Sequence, residues 1–312
     1  MNILLSTDDN YVMPTGVLMH SISINNGSDV HYYILIDKNF SDSSMSSLTE
    51  IAEHYSNKIS FYTITPEMTN ELPFGRENQP KGVTIATYYR LFISEVLPRD
   101  VHKIIYLDGD MIVRHSLKKL WDTDISDVAL GAVHDSDEKK HSIRLSYSSN
   151  KGYFNAGMLL INLDYWRKHK CFDAFMKCVH EYNKLIIMHD QDVLNIVFAD
   201  SKLWLPMKYN FQTSYVLIPS WYECPERDRD EAERTMYNPT IIHYASTDKP
   251  WKITCYHPHT AVWRYYWRKS EWRNDKLIGE DYHSITERIR FFALRHNLYM
   301  PKCQYQRCIL KR

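Results

Sequence analysis

Short apolar runs alternate with helix-length stretches through the first half of this 312-residue chain, and that alternation constrains the fold more than any other feature. Residues 2–6, 31–37, 58–64, 103–107, 128–134 and 157–162 read as strands. Helices are expected at 15–26, 42–56 (opened by the Ser41-Asp42 cap signal) and 84–97, with two more at 171–187 and 190–199. Strands joined by helical crossovers lie parallel and need both faces covered. The expected fold class is therefore α/β, with a mainly parallel, doubly wound sheet and helices on both faces. Residues 136–152 are polar and read as a mobile loop or lid. There is no internal repeat or low-complexity tract, and the composition turns basic and aromatic near 255.

The run Lys103-Ile104-Ile105-Tyr106-Leu107 stops abruptly at Asp108-Gly109-Asp110. Open α/β sheets bind ligands at the carboxyl ends of their strands. Side chains two apart share one side of a strand, so Asp108 and Asp110 are expected to converge there. Two hard oxygen ligands at one point suit Mg²⁺ or Mn²⁺, completed by substrate phosphates. The chain holds five Asp-x-Asp triplets, at 108/110, 122/124, 135/137, 190/192 and 228/230, and only the first terminates a five-residue apolar strand. Asp122 to Asp127 reads as a capping or turn cluster, and Asp228/Asp230 lies in the charged run from Glu226 to Arg234.

Formal net charge is zero, which argues against a general nucleic-acid binder. Residues 256–312 nevertheless carry 12 Lys/Arg against 5 Asp/Glu, so the rest of the chain is net acidic. The six cysteines are scattered without a Cys-x-x-Cys pair, which disfavours structural zinc and a disulfide framework and suits reduced thiols. Asn2-Ile3-Leu4-Leu5 starts a strand at once, so no signal peptide is expected, and no apolar stretch is long enough to span a membrane. Glycine is scarce, at nine, and neither Gly-x-Gly-x-x-Gly nor a Walker loop is present. A phosphate in this fold would have to be held by a metal ion and cationic side chains instead.

Four further segments carry polar groups where chemistry is expected. Ser6-Thr7-Asp8-Asp9-Asn10 follows the first strand, where Asp and Asn either meet a nucleobase or ribose or cap a turn. Asn155 sits in a small-residue turn that lets a ligand approach the backbone. His189-Asp190-Gln191-Asp192 opens a helix, with Asp190 either the cap or part of a site. His243 ends the short strand Ile241-Ile242; it is either structural or the imidazole that completes an Asp/Asp site for Mn²⁺, with Lys249 in reach of a phosphate on the same metal.

Together these segments resemble the family 8 retaining glycosyltransferases, the group of bacterial lipopolysaccharide galactosyl- and glucosyltransferases and of glycogenin. The matching pieces are Asp8-Asp9-Asn10-Tyr11, Thr87-Tyr88-Tyr89-Arg90-Leu91, Tyr106 to Asp110, Leu117 to Asp124 and Gly131 to Asp135. Tyr153 to Asn162, Asp190 to Asn195 and His243 to Trp251 follow in family order, covering about residues 2–251. The resemblance implies a nucleotide-diphospho-sugar transferase (GT-A) fold over residues 1–255, followed by a basic, aromatic helical extension at 256–312. It implies Mn²⁺ (or Mg²⁺) on Asp108, Asp110 and His243, and a UDP-sugar held by Ser6, Asp8, Asn10, Gly109, Ser246 and Lys249. Asp8 and Asn10 would face the uracil end, and Lys249 the diphosphate. Arg90, Asp135, Asn155, Asp190 and Gln191 would surround the transferred hexose, with Asp192 the nearby carboxylate. Two positions depart from the family: Ser246, where Gly is frequent, and Lys81-Gly82, where a basic residue followed by His is usual.

The implied activity is metal-dependent transfer of glucose or galactose from UDP to a saccharide or lipid-linked saccharide acceptor, in lipopolysaccharide or cell-surface glycan synthesis. Because Gln191 is an amide and a poor nucleophile, front-face attack is expected over a covalent intermediate. Two rivals share parts of this pattern: a non-catalytic sugar-nucleotide or glycan binder, and a phosphohydrolase of the haloacid-dehalogenase type. The expected location is the cytoplasm. Trp263, Tyr265, Tyr266, Trp267, Trp272, Phe291 and Phe292 among many Lys and Arg suit peripheral contact with an anionic inner membrane face, or else an ordinary helix at 282–296 packing on the core.

Overall fold

Side-chain parity along the first strand explains the layers. In the computed structural model, which describes residues 1–75, 77, 84–136, 138–216, 226–255, 257–280 and 284–295, strand β1 spans Asn2–Ser6. Its Ile3 and Leu5 enter one core layer beneath the Val12–Asn26 and Asp42–His54 helices, and Leu4 enters the opposite layer with Trp166, Phe175 and Val193. Strands β2 (His31–Asp37), β3 (Lys58–Ile64) and β4 (Lys103–Leu107) are likewise apolar, and β2 and β4 are buried almost throughout. A sheet buried on both faces gives continuous apolar runs, as the sequence shows.

Strand β5 (Met111–Val113) leaves this sheet, while β6 (Leu130–His134), β7 (Phe154–Asn162) and β8 (Lys202–Trp204) extend it. The seven-stranded order is β3-β2-β1-β4-β7-β6-β8. Strands β1 to β4 run parallel; β7 is antiparallel to both its neighbours, and β8 runs parallel to β6. The chain winds outward from β1 to β3 and then returns to place β4 on the other side of β1. The carboxyl ends of β1 and β4 thus flank the point where the winding reverses, the usual ligand crevice of such sheets.

A second sheet joins β5 to β9 (Phe211–Gln212) and β10 (Ile241–His243), with His243 paired to Met111. Its apolar side (Ile112, Ile242, Tyr244) packs with Trp251, Ile253 and the Thr260–Trp267 helix. Trp263, Tyr266 and Trp267 of that helix are core residues, while Tyr265 is exposed. The Ile285–Arg295 helix leaves Ile285, Ile289 and Phe292 exposed. The side chain of Phe291 and residues 296–312 lie outside the described residues. Among the described residues, no helix is long and apolar enough to cross a membrane.

Two segments differ from their expected form. The stretch read as a helix at 84–97 is mostly a 3-10 turn, Ile85–Phe92, followed by a single α-turn, Ile93–Val96. The polar 136–152 stretch contains the Glu138–Arg144 helix, with Arg144 bonded to the buried Asp192 at 2.6 Å. Glu138, His141 and Ser142 are buried and Arg144 reaches inward, while Lys139, Lys140 and Ser148 to Asn150 stay exposed, a division that hydropathy along the chain does not reveal.

Candidate functional site

Asp108 and Asp110 meet through a turn rather than along a strand. Strand β4 ends at Leu107, and the Asp108-Gly109-Asp110 turn carries the chain into β5. Because β10 pairs with β5, His243 is brought beside Asp110. One ligand atom each from Asp108, Asp110 and His243 lies within 4.8 Å of the others.

Hydrogen bonds behind His243 select its tautomer. The Gly157 amide donates to Asn155 Oδ1 (3.0 Å), which orients the Asn155 side chain. Asn210 Nδ2 donates to that same oxygen (2.9 Å), so Asn210 Oδ1 faces His243 Nδ1 at 2.9 Å and must accept its proton. Nε2 is then a lone pair, 3.3 Å from Asp110 Oδ1 and 3.9 Å from Asp108 Oδ2. Asp110 Oδ1 is buried without a hydrogen-bond partner. Two lone pairs face one another, an arrangement that a divalent cation relieves, so these residues fit a Mn²⁺ or Mg²⁺ ion. A Cβ on Gly157 would stand 2.4 Å from His243 Cε1 and 2.8 Å from Met111 Cε, so this glycine gives the imidazole its room.

Lys249 Nζ donates to Asp110 Oδ2 (2.5 Å) and to Tyr244 O (2.8 Å). Burial opposes ionisation of Asp110, yet the Lys249 ammonium, joined by His243 when its ring is protonated, outweighs it and holds the carboxyl well below the usual range.

Across the crevice, Arg90 ties the acidic turn to the helix at His189–Val197. Its NH2 donates to Asp108 Oδ1 (2.8 Å), its Nε lies 2.8 Å from Asp190 Oδ2, and its guanidinium lies 4.1 Å from the Tyr106 ring centroid. Tyr106 Oη also donates to Asp108 Oδ1 (2.7 Å), and Thr87 Oγ1 to Asp190 Oδ1 (2.7 Å). Burial pushes the Asp190 carboxyl up to about 6, against Arg90 and Thr87, which favour its charged form. Gln191 is oriented by the Ala156 amide, which donates to Oε1 (2.9 Å), while Nε2 donates to Asp135 Oδ2 (3.3 Å) and Tyr153 Oη (3.2 Å). Asn155 Nδ2 reaches the same Asp135 oxygen at 3.2 Å.

Asp192 is fully buried, with Arg144 and Tyr153 on one oxygen and the Ile187 and Met188 amides on the other. It braces the turn entering Asp190 from behind.

A cavity of about 610 Å³ joins the two walls. Its lining includes Ser6, Asp8, Arg90, Asp108, Gly109, Asp110, Asn155, Asp190, Gln191, His243, Ser246 and Lys249. Of the expected site residues, Asn10, Asp135 and Asp192 are not among the lining residues: Asn10 is exposed, and the other two are buried behind the wall. Asp8 Oδ1 accepts from the Asn10 and Tyr11 amides (3.0 and 3.1 Å) and caps the turn after β1. Ser6 Oγ donates to Ala86 O (3.0 Å), and Ser246 Oγ accepts from the Asp248 amide (3.2 Å). Tyr11 meets Trp251 edge-on, with ring centroids 5.4 Å apart, and both line the cavity. Lys81-Gly82 lies outside the described residues. Sequence reasoning overlooked Asn210, whose link to His243 crosses 33 positions and leaves no local signal, and the crowding at Gly157.

With this geometry in hand, the model of "Glycosyl transferase family 8" matches residues 2–255. General stress protein A of Bacillus subtilis is 26% identical over 277 residues, covering 87% of this chain and 94% of that protein. Lipopolysaccharide 1,2-glucosyltransferase of Escherichia coli K12 is 25% identical over 305 residues, covering 95% and 86%. A crystal structure of the galactosyltransferase LgtC with donor and acceptor sugar analogs superposes with a TM-score of 0.77 at 27% identity, covering 88% of this chain and 99% of that one.

Proposed function

The chain belongs to glycosyl transferase family 8, and from that premise we propose a metal-dependent retaining hexosyltransferase. It takes glucose or galactose from a UDP-sugar and delivers it to a saccharide or lipid-linked saccharide acceptor in lipopolysaccharide or cell-surface glycan synthesis. One observation carries this reading. The unpartnered Asp110 Oδ1 and the His243 Nε2 lone pair face each other 3.3 Å apart beside Asp108, at the edge of a cavity large enough for a sugar nucleotide. The relatives named as lipopolysaccharide glucosyltransferase and as galactosyltransferase support the hexose class.

A divalent cation on Asp108, Asp110 and His243 would act as a Lewis acid toward the departing diphosphate. Lys249 places a positive charge beside the same corner and adds to that stabilisation. Arg90, by holding Asp108 and Asp190 together, keeps the phosphate and sugar ends of the site in register. Ser6 and Asp8 stand at the nucleoside end with Gly109 and Ser246, and Asn10 borders it. Asp190, Gln191 and Asn155 line the hexose pocket, with Asp135 orienting the two amides. Front-face attack is favoured because both oxygens of Asp192 are engaged out of reach and those of Asp190 are held by Thr87 and Arg90. The departing phosphate oxygen then takes the acceptor's proton.

Residues 1–255 are assigned to this catalytic unit and 256–312 to an extension touching acceptor or membrane. Ile285, Ile289 and Phe292 form an exposed apolar stripe beside Arg288 and Arg290 that supports such contact with an anionic inner membrane surface. Failure of the protein to sediment with anionic vesicles at low salt removes the membrane part. The test of the whole reading is UDP release from a panel of UDP-sugars with Mn²⁺ and with chelator. Chelator-sensitive turnover of UDP-glucose or UDP-galactose is expected. Metal-dependent UDP binding without turnover, even with acceptor saccharides added, would favour a non-catalytic binder. Absence of UDP binding overturns the reading.

A further inference from the structure

The cavity wall contains one residue that pays twice for its position. His189, directly before Asp190, has φ +52°, a left-handed backbone conformation uncommon outside glycine, although histidine enters it more readily than most side chains. Its side chain is almost fully buried (4% exposed), yet neither Nδ1 nor Nε2 has a hydrogen-bond partner among the described residues. The ring packs between Phe74 and Tyr88, with centroid separations of 5.5 and 5.6 Å. A packing role alone is better filled by phenylalanine, which has no polar atoms to desolvate. The conformation is imposed from behind, where Asp192 Oδ2 accepts from the Ile187 and Met188 amides at 2.8 Å each. Strain that neighbouring contacts over-determine, at a residue lining a ligand cavity, is the pattern expected of a group poised for a ligand.

We propose that His189 is a specificity-determining residue whose imidazole hydrogen-bonds a hydroxyl of the transferred hexose. The inference rests on the donor-sugar reading of this cavity. A neutral imidazole offers one donor and one acceptor, the same pair that a sugar hydroxyl presents, and burial lowers its proton affinity enough to keep it neutral. Phe74 and Tyr88 flank the ring but do not line the cavity, so a hydroxyl would approach it from the cavity side, where Met188 and Asp190 border it. Asp190 and Gln191 follow immediately on the same wall, which puts the hexose, rather than the nucleoside beyond Asp108, nearest to His189.

The test compares the wild type with His189→Phe and His189→Asn. Three readouts are used: thermal midpoint, Mn²⁺-dependent affinity for UDP, and UDP release from UDP-hexoses and their monodeoxy analogues. With His189→Phe the midpoint should rise by about 2 °C or more, because two buried unpaired nitrogens are gone. UDP affinity should stay within about twofold, while kcat/KM for the preferred UDP-hexose falls about tenfold or more, as for one lost hydrogen bond. One monodeoxy donor should lose its disadvantage in this variant. His189→Asn tolerates the left-handed backbone and keeps a donor–acceptor pair, so it should recover part of the loss; it also serves if the Phe variant fails to fold. Unchanged kcat/KM and unchanged discrimination among the analogues in either folded variant overturn the role of His189. Wild-type protein that binds no UDP overturns the donor reading and this inference with it.

Discussion

The two walls of the cavity are finished to different degrees. On the Asp190–Gln191 wall Gln191, Asn155 and Asp190 are tied to neighbours, Asp190 Oδ2 through its ion pair with Arg90. Asp192 behind them is fully engaged, while the His189 ring is left without a hydrogen bond among the described residues. On the Asp108–Asp110–His243 corner, a buried carboxylate oxygen and an imidazole lone pair face each other with nothing between them. The difference teaches which part of the site is preformed. The sugar wall is largely paired within the protein, whereas the acidic corner, although Lys249 and Arg90 counter its charge, leaves Asp110 Oδ1 without a donor, as a cation site would. Mutations of the internally paired wall residues should therefore strike stability and those at the corner function, with His189, whose ring nitrogens lack partners among the described residues, the exception on the wall.

The sharpest way to break that contrast is Asp110→Asn. It removes an anionic ligand and leaves Lys249 with a weaker partner. Metal-dependent UDP affinity should disappear in titration calorimetry, and turnover should fall by about 10³-fold or more. Retained Mn²⁺-dependent UDP binding would mean that the corner holds no metal.

Arg90→Met addresses the wall. Arg90 is buried and serves Asp108 and Asp190 at once, so its loss strands two carboxylates in a poorly solvated place. Breaking a buried ion pair from one side costs about 3–5 kcal/mol, readable as a lower urea midpoint. An unfolding free energy within experimental error of wild type would show that the wall is not held together by this residue.

Much of this architecture was legible along the chain. The expected bounds of β1, β2, β3 and β4 match the structure; the buried β1, β2 and β4 leave unmistakable apolar runs, and the half-exposed edge strand β3 still reads as one. Asp108, Asp110 and His243 stand at strand ends and Lys249 follows shortly after His243, and the structure brings all four together. The expected geometry at Asp108 and Asp110 was wrong in its cause, since a turn and not strand parity makes them converge. Less could be read where a role depends on distant partners. Asp192 looked like a site carboxylate beside Asp190, but Tyr153 lies 39 positions away and Arg144 lies 48, and both draw it inward. The helix at Glu138–Arg144 was hidden for the same reason.

Gly157→Ala sharpens the contrast at the junction of the two regions. The added methyl would overlap His243 Cε1 and Met111 Cε, so the imidazole must move away from Asp110. Misorienting a ligand in this way typically weakens metal affinity by about 10–100-fold. Asn210→Ala should resemble it without a steric clash, because the ring then loses the bond that keeps Nε2 unprotonated. Equal Mn²⁺ affinity in wild type and both variants would remove His243 from the ligand set.

The smallest effect is a difference in pH response between the walls. Asp110 titrates well below the usual carboxylate range once Lys249, joined by His243 when protonated, overcomes its burial, so its contribution to stability is present above about pH 4 and is lost only in stronger acid. Asp190 has the opposite sign. Burial raises its folded value to about 6, so the native state binds the proton more tightly than the unfolded chain does. That contribution is fully present below about pH 4 and is lost as pH rises through 6, with a slope of at most about 1.4 kcal/mol per pH unit. Chelator-treated wild type should thus lose stability between pH 4 and 7 on this account, and Asp190→Asn should flatten the decline whatever its absolute stability. A decline of the same slope in that variant would assign the titration to another group. If Mn²⁺ binds at Asp108, which Arg90 shares with Asp190, adding it should alter this profile as well as the one at the corner. A profile between pH 5 and 7 that ignores the metal would show that the two walls, although joined by one guanidinium, respond independently.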